Sequence, residues 1–180
     1  MSELIADVRY PTGKFEPQPY SDELKEKWLR DIQFLPNDLE FAIQSLDEHQ
    51  LDTPYREDGW TVKQLVHHIA DSHMNAYIRF KLALTEHNPT IKPYEEKDWA
   101  NFRDVFTVPV NVSVTLLHAL HRRWIAAIEN LDEAQFTNTF VFHPEHKKQL
   151  SLWHLLGMYA WHGRHHVAHI TKLKEKKGWY

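Results

Sequence analysis

The run Trp161-His162-Gly163-Arg164-His165-His166-Val167-Ala168-His169 gathers four imidazoles in a short stretch of chain. If that stretch is helical, side chains four apart stack on one face. His162 and His166 then form one bidentate clamp, and His165 and His169 form another. Neutral imidazole is a common ligand for zinc, copper and nickel, and metallopeptidase helices use the same i,i+4 spacing. The chemistry on offer is therefore binding of a divalent transition metal. Periodicity separates the two pairs. Leu152, Leu155, Leu156, Tyr159, Ile170 and Leu173 make one apolar stripe at helical spacing. His162 and His166 fall within it or at its edge, His165 falls well off it, and His169 is marginal. An imidazole turned into an apolar interior keeps a donor and an acceptor to satisfy. A shared metal would satisfy both rings, and so would separate buried hydrogen-bond partners.

A third ligand has to come from another segment, and His67, His68 and His73 are the candidates. The helical wheel puts His73 in the middle of an apolar face and turns His67 toward solvent with Asp71. His68 lies on a polar stripe with Ser72, Asn75 and Arg79, at the border of that face. An open catalytic site needs a cleft that water can enter, which favours His68. His73 can equally be a core histidine, and spacing alone does not choose between them.

The bulk composition narrows the remaining classes. The chain has 180 residues, 42% hydrophobic and 26% charged, the size and balance of one globular domain. Its formal net charge is −4 and no block of five like charges occurs, so it lacks the basic patch that binding to nucleic acid or a membrane surface requires. Lys172, Lys174, Lys176 and Lys177 read as a helix end, where cations complement the dipole. There are 14 histidines, 7 tryptophans and no cysteine, which excludes disulfides, thiolate ligands and a cysteine nucleophile. The acidic N-terminus has no apolar core of a signal peptide, and no apolar run reaches the roughly 18–20 residues of a membrane span. A cytoplasmic location is the expectation.

The elements that must position the histidines follow from caps and periodicity. Residues 1–20, with Pro11, Pro17 and Pro19, read as an extended arm on the domain. Ser21 caps a helix whose face is Leu24, Trp28, Ile32, Leu35, Leu39, Ile43 and Leu46, and Pro36 should kink or split it. Thr61 and Gln64 make a capping box for a second helix over about Val62–Thr85. Residues 87–112 form a long connection with a short helix expected near Glu95–Phe102. A third helix is expected from about Ser113 to Leu131. Thr139–His143 is strand-like and His143-Pro144-Glu145-His146 turn-like, so a small hairpin fits there. Ser151 caps a last helix reaching about Lys176, before Gly178. Four long helices in one domain spanning 1–180 predict an all-α four-helix bundle.

Leu51-Asp52-Thr53-Pro54-Tyr55-Arg56, Gly59-Trp60-Thr61-Val62 and Val66-His67-His68-Ile69-Ala70-Asp71-Ser72-His73-Met74-Asn75 carry a resemblance to a known family. So do Tyr77–Leu82, Tyr10-Pro11-Thr12-Gly13 and the C-terminal histidine run. Over nearly its whole length the chain resembles the DinB/YfiT-like metalloproteins, most closely the YfiT-type proposed metal-dependent hydrolases. Ala168-His169 stands where the wider superfamily often has Gly-Gln, which points to the YfiT branch. The resemblance implies an up-down-down-up bundle and a homodimer. It also implies a ligand set of His68, before Ala70-Asp71, with His162 and His166, His165 being an extra histidine beside the second of the pair.

Three neutral imidazoles leave an open position on one divalent cation, the pattern of a catalytic site. Such a cation can activate water at neutral pH, hence hydrolysis of a small-molecule substrate. The same centre could instead deprotonate a small thiol, of the bacillithiol kind used by S-transferases in the wider superfamily. A purely structural metal is a third possibility, and it would be sealed from solvent. Availability favours zinc, whereas the affinity series favours nickel or copper. No residue stands out as a general base.

Overall fold

The computed structural model describes residues 9–179. The elements in chain order are α1 (Asp22–Ile43), α2 (Glu48–Leu51), α3 (Val62–Thr85), α4 (Glu96–Trp99), α5 (Arg103–Thr107), α6 (Val110–Ile128), α7 (Glu133–Asn138), β1 (Phe140–His143), β2 (Lys148–Ser151) and α8 (Leu152–Lys177). α1, α3, α6 and α8 form the bundle. α1 packs between α6 and α8, and so does α3 on the opposite side.

The core of the bundle is two apolar halves. One contains Trp28 and Ile32 from α1, Ala76 and Phe80 from α3, Trp124 and Ile128 from α6, and Leu152–Ala160 residues from α8. The other contains Leu35 and Leu39, Val62–Ala70 residues, Val114 and Leu117, then Ile170 and Leu173. α1 and α8 enter the first half before the second, and α3 and α6 do the reverse. This order is the up-down-down-up path that the resemblance implies. Between the halves lies a waist, and the buried histidines of α3, α6 and α8 are concentrated there.

Local signals explain the helix starts. The Leu24 amide donates to Ser21 Oγ at 3.2 Å. The Gln64 amide donates to Thr61 Oγ1 at 3.1 Å, and the Thr61 amide donates back to Gln64 Oε1 at 3.0 Å. The His154 amide donates to Ser151 Oγ at 3.1 Å. α8 stops at Gly178, whose φ of 67° is the left-handed cap.

Several expectations need correction. α1 runs unbroken through Pro36. A proline removes the amide that would bond the carbonyl four residues earlier, here Ile32, and that carbonyl accepts from His121 Nδ1 instead, at 2.5 Å. Leu46 lies beyond the end of α1. The long connection holds two short helices, α4 and α5, where one was expected. α6 runs from Val110, behind Pro109, to Ile128, so Ser113, the expected start, is inside the helix. α2 and α7 have Asp47 and Asp132 capping boxes that the sequence reading passed over. The hairpin is present as β1 and β2, paired antiparallel with Val141 opposite Leu150. Of the expected N-terminal arm, residues 1–8 lie outside the described residues. The remainder lies along α8, where Trp153 Nε1 donates to the Gln18 carbonyl at 2.8 Å and Trp161 Nε1 to that of Gly13 at 3.0 Å.

Candidate metal centre

His68 projects from α3, and His162 and His166 project from α8, one turn apart. Two devices set their heights. The capping box and a bond from Gln64 Nε2 to the Ala100 carbonyl, 3.0 Å, fix the start of α3. Gly157 and Gly163 let α8 approach α1, because a Cβ at either would meet Trp28 or Leu35. The Trp60 ring, 4.6 Å away, backs His68.

The structure brings the three imidazoles together. His68 Nε2 lies 3.2 Å from His162 Nε2, and His166 Nε2 lies 3.1 Å from it. One candidate ligand atom from each residue falls within 4.8 Å of the others. Burial pushes His68 down to about 4. Burial, and then neighbouring imidazoles, push His162 and His166 well below the usual histidine range. All three are therefore neutral near pH 7. A ring nitrogen has either one proton or one lone pair, so His162 Nε2 has one good hydrogen bond to make and two close nitrogen neighbours. A divalent cation at the common point would take all three lone pairs, and the residues fit one.

The centre borders a cavity of about 450 Å³, lined by Ser72, Arg79, Tyr94, Glu96, Tyr159, His162 and the hairpin histidines His143 and His146, among others. A slightly larger hollow of about 510 Å³ between α1 and α6 touches none of the three histidines. Arg79 is held on the cavity wall, donating to Tyr159 Oη at 2.7 Å and to the Lys92 carbonyl at 3.3 Å. Asp71 faces another hollow, with Trp99, Phe102 and Asp104. Burial, with a smaller contribution from Asp104, pushes its carboxyl up to about 6.

The other histidines divide as follows. His67 is buried, not turned to solvent as the wheel suggests, and its Nδ1 lies 2.8 Å from Ser113 Oγ of α6. His165 and His169 are also buried, with Nε2 atoms 3.1 Å apart. With His166 they form a second group of possible ligand geometry, but it overlaps the first at His166 and lies under the rings of Trp161 and Tyr55. His73 is fully buried and does not join the three. Its Nε2 lies 3.3 Å from His162 Nδ1, and its Nδ1 lies 3.0 Å from His121 Nε2. His121 is the residue that sequence reasoning missed. The available signal was its place in the apolar register of α6, between Leu117 and Trp124.

Comparison with known proteins gives the family and the fold. A family model for the DinB superfamily matches residues 32–170. A protein of Bacillus mycoides (strain KBAB4), named a "putative metal-dependent hydrolase", is 52% identical over 176 residues, 97% of this chain and 100% of that one. A similarly named protein of Bacillus thuringiensis subsp. konkukian (strain 97-27) is 52% identical over 174 residues, 96% of this chain and 99% of its own. A solved structure, YfiT from Bacillus subtilis, is described as "a probable metal-dependent hydrolase with an unusual four-helix bundle topology". It superposes with a TM-score of 0.93 at 46% identity, over 96% of this chain and 99% of that one.

Proposed function

The chain belongs to the DinB superfamily, and from that footing we propose that it is a metal-dependent hydrolase of a small molecule, with His68, His162 and His166 holding one divalent cation. The observation that carries the reading is the convergence of three neutral imidazole nitrogens beside an open cavity. His68, His162 and His166 would hold the cation, and it would supply Lewis-acid chemistry there, activating water near neutral pH and polarising a substrate carbonyl. The protein's part is to hold the ligands neutral and to shape the cavity. Arg79 lines the cavity, which puts a guanidinium where it would meet and orient a substrate carboxylate. The cation is zinc on availability, with nickel next on affinity. A cytoplasmic location completes the reading.

The test assays metal-loaded and metal-stripped protein on ester and amide panels, with and without a low-molecular-weight thiol, while helicity is followed. The expected result is hydrolysis that needs metal and water only, on a bundle that stays helical when stripped. Turnover that depends on thiol and yields a thioether would replace hydrolysis by thiol transfer. Loss of helicity on stripping, with no activity in any assay, would make the metal structural.

A further inference from the structure

Behind His162 a line of polar groups crosses the waist of the bundle. His162 Nδ1 lies 3.3 Å from His73 Nε2, His73 Nδ1 lies 3.0 Å from His121 Nε2, and His121 Nδ1 lies 2.5 Å from the carbonyl oxygen of Ile32. His73 and His121 are 0% and 1% exposed, so both are closed to bulk solvent. A neutral imidazole has one N–H and one bare nitrogen, and a carbonyl oxygen only accepts. His121 must therefore carry its proton on Nδ1 and accept at Nε2. His73 must then donate from Nδ1 and accept at Nε2. His162 must donate from Nδ1, which leaves a bare lone pair on its Nε2, the atom that faces His68 and His166. The carbonyl at the end of the line is available because Pro36, four residues on, has no amide to offer it.

We infer that His73 and His121 are positioning residues, a one-way hydrogen-bond line that starts at the Ile32 carbonyl freed by Pro36 and holds His162 with Nε2 presented to the cation. Two oddities of the sequence, a proline inside α1 and histidines at core positions of α3 and α6, thereby become one device. His166 lacks such support, since its Nδ1 has no hydrogen-bond partner among the described residues. Partners of this kind fix the tautomer and ring orientation of a ligand and raise its basicity.

This inference rests on the metal reading of the centre, and the experiment separates the two. Long-range proton–nitrogen correlation spectra of the metal-free full chain near neutral pH read each tautomer directly. The expected result is Nδ1–H for His73, His121 and His162, and Nε2–H at any of the three overturns the line. Zinc titration then compares the unaltered chain with His73→Phe and His121→Phe, both checked for helicity. Each is expected to bind about 10–100-fold more weakly, with part of the loss recovered by His121→Gln, whose amide restores a donor and an acceptor. Unchanged affinity in both Phe variants overturns the positioning role while leaving the metal centre standing. An unaltered chain that binds no zinc overturns the metal reading, whatever the tautomers. If a Phe variant fails to fold, the spectra of the unaltered chain still decide.

Discussion

His121 shows what a buried imidazole costs as pH changes. Burial pushes it down to about 4 in the folded chain, whereas in an unfolded chain histidine titrates near 6.5. Below about pH 6.5 the unfolded chain therefore binds a proton that the folded chain refuses. The stability present above that pH is lost as pH falls toward about 4, by about 1.4 kcal/mol per pH unit for one such group. Metal-free protein is expected to show this as a falling urea midpoint. His121→Phe removes one titrating group, so its stability should fall less steeply over the same window; parallel slopes would contradict the burial argument. At this scale the sequence was partly legible. The i,i+4 pair and the apolar stripe of α8 pointed to His162 and His166, and spacing left His68 and His73 open. His67 was misread because the wheel knows only its own helix. Ser113 of α6 supplies the buried partner, and nothing local announces it.

At the scale of elements, the seam between α1 and α8 sets where His162 and His166 stand. A Cβ at Gly157 would lie 2.7 Å from the rigid Trp28 ring, and one at Gly163 would lie 2.6 Å from a Leu35 methyl that can rotate away. Alanine in a helix interior gains up to about 1 kcal/mol over glycine, while overpacking a tight core costs about 1–3 kcal/mol. Gly157→Ala is therefore expected to destabilise the chain and Gly163→Ala to be close to neutral. Urea unfolding of the two variants checks the order, and a larger loss at Gly163 would contradict it. The long helices were legible because caps and periodicity agree at Thr61–Gln64, Ser151 and Gly178. Pro36 was not, because the donor that replaces its missing amide comes from α6. The short helix α5 was passed over because five residues hold too little periodicity to announce it.

For the whole molecule, the resemblance implies a homodimer, and we propose one whose partner is a second copy of this chain. Phe102, Phe106, Val112 and Leu116, on and beside α5 and the start of α6, are exposed, and obligate interfaces are rich in apolar and aromatic side chains. Light scattering is expected to give twice the chain mass, and Phe106→Glu to shift it toward the monomer. A monomer at micromolar concentration would refute this proposal. Among the described residues no helix is long and apolar enough to cross a membrane.

The central claim is the three-histidine centre, and elemental analysis of purified protein tests it most directly. The account predicts one divalent transition metal per unaltered chain and its loss in His68→Ala, His162→Ala and His166→Ala, each still helical. It also predicts retention in His169→Ala, which breaks only the overlapping group. Metal kept at the unaltered level in any of the first three, or lost in His169→Ala alone, would contradict it.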